Sequence, residues 1–319
     1  LKKIFDKFRC FDAADLTNQV FLITLSIIIA GNYNKIENWY IYLGLNIVLN
    51  FILFYFISRY EQKSVYGKSI SKVSKFIRFW YVIFVIILFF KEIYLIMISF
   101  EPSFYDDLLI KIDYWIFGIQ PAQFLYQYKS RLLTEILQIT YSLFYLMPVI
   151  FGLDLYLRKR FDEFKYSLFV IFFGFYLSFI GYLILPAIGP RFTLFNFQNL
   201  NTDLPGLFFT NVLRDLINLG ESIPKEAVNP AFIAQRDAFP SGHTELILLI
   251  VYLSHKLKSK SFYFYLPYAI LMIFSTIYLR YHYVIDIIGG FIFAVVTVLI
   301  TNWIYNRKSS IGSVFRKRE

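Results

Sequence analysis

The chain has 319 residues, 58% hydrophobic and 21% aromatic, with a mean hydropathy of +0.55, which excludes an ordinary soluble globular domain and points to a polytopic membrane protein. Its net charge of +10 arises from short Lys/Arg clusters between apolar runs, not from one basic face, so no nucleic-acid partner is expected. Cys10 is the sole cysteine, which excludes an intrachain disulfide and a zinc-finger spacing.

The opening stretch "KKIFDKFRCFDAAD" (residues 2–15) lacks the apolar core and small-residue cleavage site of a signal peptide. Because the chain opens on Leu1 and not Met, the natural start is expected upstream. Apolar runs approaching the roughly 20 residues that a bilayer demands then recur near residues 17–31, 38–58, 79–100, 135–157, 166–188, 243–257, 262–280 and 283–305. The expected fold is an all-α bundle of about eight transmembrane helices, forming one integral membrane domain over 1–319 with a catalytic core near 135–305.

Every second connection is strongly basic: Lys2, Lys3, Lys7 and Arg9; Arg59 through Arg78; Arg158, Lys159, Arg160 and Lys165; Lys256, Lys258 and Lys260; and a tail with Arg307, Lys308, Arg316, Lys317 and Arg318. The positive-inside rule puts these segments and both termini in the cytoplasm and turns 101–134 and 189–242 outward. A multi-pass protein of the cell inner membrane, with its site facing outside or the periplasm, is the expectation. Within 101–134, Ser103 and Asp106 resemble a capping box. Leu108, Leu109, Ile112, Trp115 and Ile116 follow at helical spacing, so an interfacial helix on the outer leaflet is expected there. Lys91 and Glu92 interrupt the third apolar run and either face a cavity or pair with another helix.

Three outward segments carry unusual residues. "LPAIGPRF" (Leu185 to Phe192) ends the fifth run and places Arg191 at the interface, where its guanidinium suits phosphate oxygens and equally serves as an anchor. In "FPSGHTE" (Phe239 to Glu245), a Pro- and Gly-containing turn opens the sixth helix. Its free backbone N–H groups, the Ser241 hydroxyl and His243 can together meet an anion near Gly242. "YLRYHYVID" (Tyr278 to Asp286) spaces His282 and Asp286 four apart, so that a helix beginning near His282 sets the carboxylate on the imidazole, fixing its tautomer and stabilising its cation. The same residues fit a buried His–Asp pair that only ties helices together.

Taken together, the three segments resemble the type 2 phosphatidic acid phosphatase superfamily over Gly181 to Gly290. The resemblance implies a membrane enzyme acting on lipid phosphoesters without metal or other cofactor. It implies that His282 attacks phosphorus, His243 protonates the leaving oxygen and Asp286 orients His282. Arg191, Ser241 and Gly242 would hold the phosphoryl oxygens. Thr276 stands where lipid phosphatases of the family usually carry arginine, and Arg280, two residues before His282, is the candidate to replace that contact. "STIYLRYHYVIDIIGG" and "FYDDLLIKIDYWIFGIQP" are most similar to the inositol phosphorylceramide synthase branch. That likeness implies transfer of a phosphoryl or phospho-headgroup group from a membrane phospholipid to a lipid or polyol hydroxyl. Hydrolysis of a lipid phosphate such as phosphatidic acid or an isoprenoid pyrophosphate is the alternative. Other readings of the same residues are a metal site on His243, His282 and Asp286, a serine hydrolase using Ser241, and a non-catalytic lipid transporter.

Overall fold

A computed structural model describes residues 11–100, 104–224 and 227–316, with side chains described as far as residue 306. Cys10, the basic cluster before it, and Ser103 lie outside the described residues. Each expected apolar run is a helix: α1 (Ala13–Gly31), α2 (Trp39–Val65), α3 (Lys72–Ser99), α4 (Asp106–Phe117), α5 (Arg131–Leu143), α6 (Met147–Leu157), α7 (Phe161–Ile184), α8 (Thr210–Gly220), α9 (Gly242–Lys256), α10 (Phe262–Tyr278) and α11 (Val284–Arg316) include them all, with α4 and α8 added between. A 3-10 turn, Phe144–Leu146, joins α5 to α6 just before Pro148, which lacks the N–H to continue the ladder.

Among the described residues, six stretches are long and apolar enough to cross a membrane: α1, α2, α3, the joined α5 and α6, α7, and Val284–Asn306 of α11. The protein is an all-α, multi-pass integral membrane protein. α9 and α10, of 15 and 17 residues, span about 22 and 26 Å at the helical rise, less than the roughly 30 Å of a hydrocarbon slab. No strand occurs among the described residues; an isolated parallel bridge pairs Ala187 with Asp237.

The chain forms two compact units, one of Leu1–Glu101, Phe161–Phe173 and Ile304–Glu319, the other of Pro102–Arg160 and Gly174–Trp303. In the first, Asp12 and Asp15 close a capping box at the start of α1. The buried guanidinium of Arg78 on α3 bonds both carboxylates and Glu61 of α2, and the Tyr81 hydroxyl donates to Asp15. The buried charge of Arg78 is therefore paired, as desolvation requires. Glu92 accepts a hydrogen bond from Asn46 of α2, and with Lys91 it lines a cavity between α2 and α3, so Glu92 meets both expected readings.

In the second unit, α9 packs beside α10, and α10 and α8 pack on α5. Glu245, fully buried on α9, accepts from the hydroxyls of Ser178 on α7 and Thr297 on α11. The carboxylate of Glu135 on α5 accepts the N–H groups of Leu207, Phe208, Phe209 and Thr210 and the Thr210 hydroxyl, which fixes the start of α8.

α4 differs from expectation in its cap and its inner face. Tyr105, not Ser103, precedes the helix, with no side-chain cap bond. Leu108, Trp115 and Ile116 are exposed, Trp115 at 84%, which suits an interfacial helix. The buried stripe at i, i+3 and i+7 reads Asp106, Leu109, Asp113, and both carboxylates serve the site described next.

Candidate active site

Backbone hydrogen bonds knit the three motifs. Ala238 N–H donates to Ala187 O at 3.0 Å, Arg191 N–H to Arg280 O at 3.0 Å, and Ser241 N–H to Asp286 O at 2.9 Å. Asp106 accepts from the N–H groups of Ile188 and Gly189, at 3.0 and 2.9 Å, and from the Tyr283 hydroxyl at 2.9 Å. Asp113 accepts from Val284 and Ile285, both at 2.8 Å, and so caps α11. Gly189 adopts φ +90°, and a Cβ there would stand 2.5 Å from Tyr281 O, so the first motif closes on the third only because this residue has no side chain.

His282 sits just before α11, which begins two residues later than its spacing suggested. It is 3% exposed. Its Nδ1 lies 2.9 Å from Ala238 O and 3.3 Å from Asp286 Oδ2. Both partners are acceptors, so Nδ1 carries the proton and Nε2 keeps its lone pair. Nε2 faces Nδ1 of His243 at 3.2 Å. Asp286 also accepts the Tyr283 N–H at 2.8 Å, which fixes its Oδ2 beside the ring. Burial holds His282 well below the ordinary histidine range, at about 4, with Asp237, the Ala238 carbonyl and Glu221 pulling upward and Arg191 downward.

His243 opens α9, enclosed by Tyr141, Phe144 and Tyr145 with ring centroids at 4.8, 4.6 and 6.1 Å. Ser241 is the N-cap of α9: its Oγ accepts from Thr244 N–H at 3.2 Å and from the Thr244 hydroxyl at 3.0 Å, leaving its own proton to donate elsewhere. Gly242 has the Tyr182 hydroxyl where a Cβ would project. Arg191 is 5% exposed, so it is no surface anchor. Its Nη2 is ion-paired with Glu221, the residue that ends α8, and its Nη1 reaches Asn218 at 3.3 Å. Burial works against the charge of Arg191, and Glu221 more than offsets it, leaving the guanidinium above its ordinary pKa.

Arg280 takes a different place. Its side chain bonds Asp203 at 2.7 Å and lies 3.6 Å from the Phe195 ring centroid, and only its backbone carbonyl serves Arg191. Thr276, fully buried, donates its hydroxyl to Ile273 O at 2.7 Å. Arg191 Nε, His243 Nε2 and Asp286 Oδ1 have no hydrogen-bond partner among the described residues.

The structure thus gathers His282, His243 and Asp286 with Ser241, Gly242 and Arg191, and sets the Arg280 guanidinium against Asp203. It adds Glu221, Asn218 and Asp237, which the sequence reading passed over. Burial, with Glu221 next, pushes Asp237 up to about 6 against the pull of His282 and Arg191. Asp237 stands two residues before the FPSGHTE stretch, within reach of a reading that asks which carboxylates flank the turn. Glu221 carries no local signal, since only the closure of the 189–242 segment brings it to Arg191.

Two histidines with opposed ring nitrogens, one oriented by a carboxylate, beside a buried guanidinium and a glycine turn at a helix start, can attack phosphorus, donate a proton and hold phosphoryl oxygens. Comparison with known proteins gives the same family from the whole stretch. The model of the PAP2 superfamily matches residues 108–300, from α4 through α11. Neither the curated proteins nor the solved structures gave a match. With the matched stretch covering more than half of the chain and containing all three motifs, the protein belongs to the PAP2 superfamily, whose members are phosphatases or phosphotransferases of lipid-type substrates.

Proposed function

We propose that this protein is a membrane phosphotransferase of the inositol phosphorylceramide synthase type, moving a phospho-headgroup from a phospholipid to a hydroxyl acceptor at the outward face of the membrane. The reading is carried by one observation: His282 Nδ1 is committed to two acceptors while its Nε2 opposes His243 at 3.2 Å. In the first step Nε2 bonds phosphorus, the ester P–O bond breaks, and His243 gives its proton to the leaving alkoxide. In the second, the acceptor hydroxyl gives its proton to His243, its oxygen bonds phosphorus, and the N–P bond breaks. Asp286 holds the imidazolium character that develops on His282. At 3.2 Å the two rings are in hydrogen-bond contact, so a phosphoryl group must part them to enter. Arg191, the Ser241 hydroxyl and the start of α9 supply charge stabilisation for the equatorial oxygens, with no step assigned to a metal.

Transfer is favoured over hydrolysis by Thr276, whose hydroxyl is spent on its own helix, and by the His-Tyr-x-x-Asp form of the third motif. The basic character of the loops at 59–78 and 256–260 supports the outward reading of the motifs through the positive-inside rule. The intermediate is open to capture. In His243→Ala, a nitrophenyl phosphoester with a good leaving group needs little protonation in the first step, while the second step loses its base. An adduct is expected to accumulate on the peptide containing His282, read by mass spectrometry after alkaline quenching. An adduct on Ser241, or continued turnover in His282→Ala, contradicts the mechanism.

A further inference from the structure

We infer that Glu221 sets the charge that the site accepts, so that a singly charged phosphodiester is taken and a doubly charged phosphomonoester is resisted. The inference rests on the reading of His282 and Arg191 as the phosphoryl site and narrows its substrate class.

The argument is a count of charges in a buried place. Among the described residues, the charged side chains acting most strongly on His282 are Asp237, Glu221 and Arg191. That is one cation against two carboxylates, before Asp286, whose Oδ2 lies 3.3 Å from His282 Nδ1, is counted. The other buried arginines of the region are held by other partners through part of their donors: Arg280 Nη1 by Asp203 at 2.7 Å, Arg214 Nε and Nη1 by Gln138, Leu200 O and Asn201 at 3.2, 3.3 and 3.0 Å, and Arg236 lies over the Phe104 ring at 5.4 Å. His282 adds no positive charge near neutrality because burial holds its pKa at about 4. Glu221 already occupies Nη2 of the guanidinium, and Asn218 reaches Nη1, which leaves Nε, buried and without a partner among the described residues, as the open donor.

A phosphate ester entering this place meets a guanidinium already neutralised. A monoanion can share Arg191 with Glu221, taking Nε and the Ser241 hydroxyl. A dianion brings one more negative charge to a site already holding two carboxylates, and the low local dielectric amplifies that repulsion. Full use of the guanidinium by a dianion requires that Glu221 be displaced or neutralised, since carboxylate and phosphate compete for the same planar fork. A carboxylate at the anion site is thus a repulsive element, of the kind that discriminates between ligands sharing every attractive contact.

The opposing role for Glu221 is to hold Arg191 in place, and the two roles predict opposite signs. Binding is to be measured by titration calorimetry on the full chain in detergent, without turnover. The probes are phenylphosphonate, a dianion at mildly alkaline pH, and its monomethyl ester, a monoanion of nearly the same shape. Wild type is expected to bind the monoester about tenfold more tightly. In Glu221→Gln the dianion should gain about tenfold and the preference should collapse. If the variant does not fold, the wild-type preference alone decides. Equal affinity in wild type overturns charge selection and leaves the phosphoryl site standing. Parallel weakening of both probes in Glu221→Gln shows a holding role and overturns the inference. Binding of neither probe to wild type overturns it together with the assignment of the site.

Discussion

His282 differs from a free histidine in one measurable respect: burial disfavours its cation. An imidazole whose pKa falls from the ordinary 6.5 to about 4 stays neutral, and nucleophilic, through the whole interval between them. The acid limb of kcat/KM reports the free enzyme, so for a soluble phosphodiester it is expected below about pH 4 in Asp237→Asn, which removes both the Asp237 titration near 6 and the carboxylate that pulls the His282 pKa upward. A limb that remains near 6.5 in that variant contradicts the burial of the nucleophile. The chemistry of His282, His243 and Asp286 was legible in the sequence because it is local: an i,i+4 pair and a turn that opens a helix are short-range geometry. Arg191 was legible as a residue but not as an ion pair, because Glu221 lies 30 residues away across an irregular segment. Arg280 shows the limit from the other side. Its closeness in sequence to His282 suggests a phosphate contact; its Nη1 bonds Asp203 from a left-handed backbone at φ 69°, while Nε and Nη2 have no partner among the described residues.

At the scale of elements, helix existence was legible from the apolar runs, α9 and α10 included, although their 15 and 17 residues fall short of the longer spans. The inward role of α4 was not. Asp106 looked like a local cap because its local partner is all that a sequence shows; its actual partners lie 82, 83 and 177 residues further on. α4 is therefore a brace, whose carboxylates terminate the N–H groups of the first and third motifs. Removing Asp113 leaves the part-buried Val284 and Ile285 N–H groups without acceptors at the helix that carries Asp286, a loss toward the lower end of the roughly 1–3 kcal/mol that a buried unmade donor costs. Asp113→Ala is expected to lower the thermal midpoint and to depress kcat, while Asp107→Asn, on the exposed side of the same helix, should change neither. Equal effects of the two substitutions, read by thermal unfolding and turnover together, would remove α4 from the site's support.

At the scale of the molecule, the alternation of basic connections predicts one side for the three motif segments, and the backbone bonds among Ala187, Arg191, Ala238, Ser241, Arg280 and Asp286 bring them together. The two rest on separate grounds, charge distribution in one case and hydrogen bonding in the other. What the sequence leaves unread is how the site chooses between water and a hydroxyl acceptor, since that depends on exclusion and positioning by residues distant in the chain. The most direct measurement is a vesicle assay with a headgroup-labelled phospholipid as donor, with and without a hydroxylated lipid or polyol acceptor. The proposed function predicts a labelled phosphodiester or phosphomonoester that forms only with acceptor, little label released to water, and loss of both in His282→Ala. Release of phosphate or phospho-headgroup at one rate, whether or not an acceptor is present, would contradict it and make the protein a hydrolase.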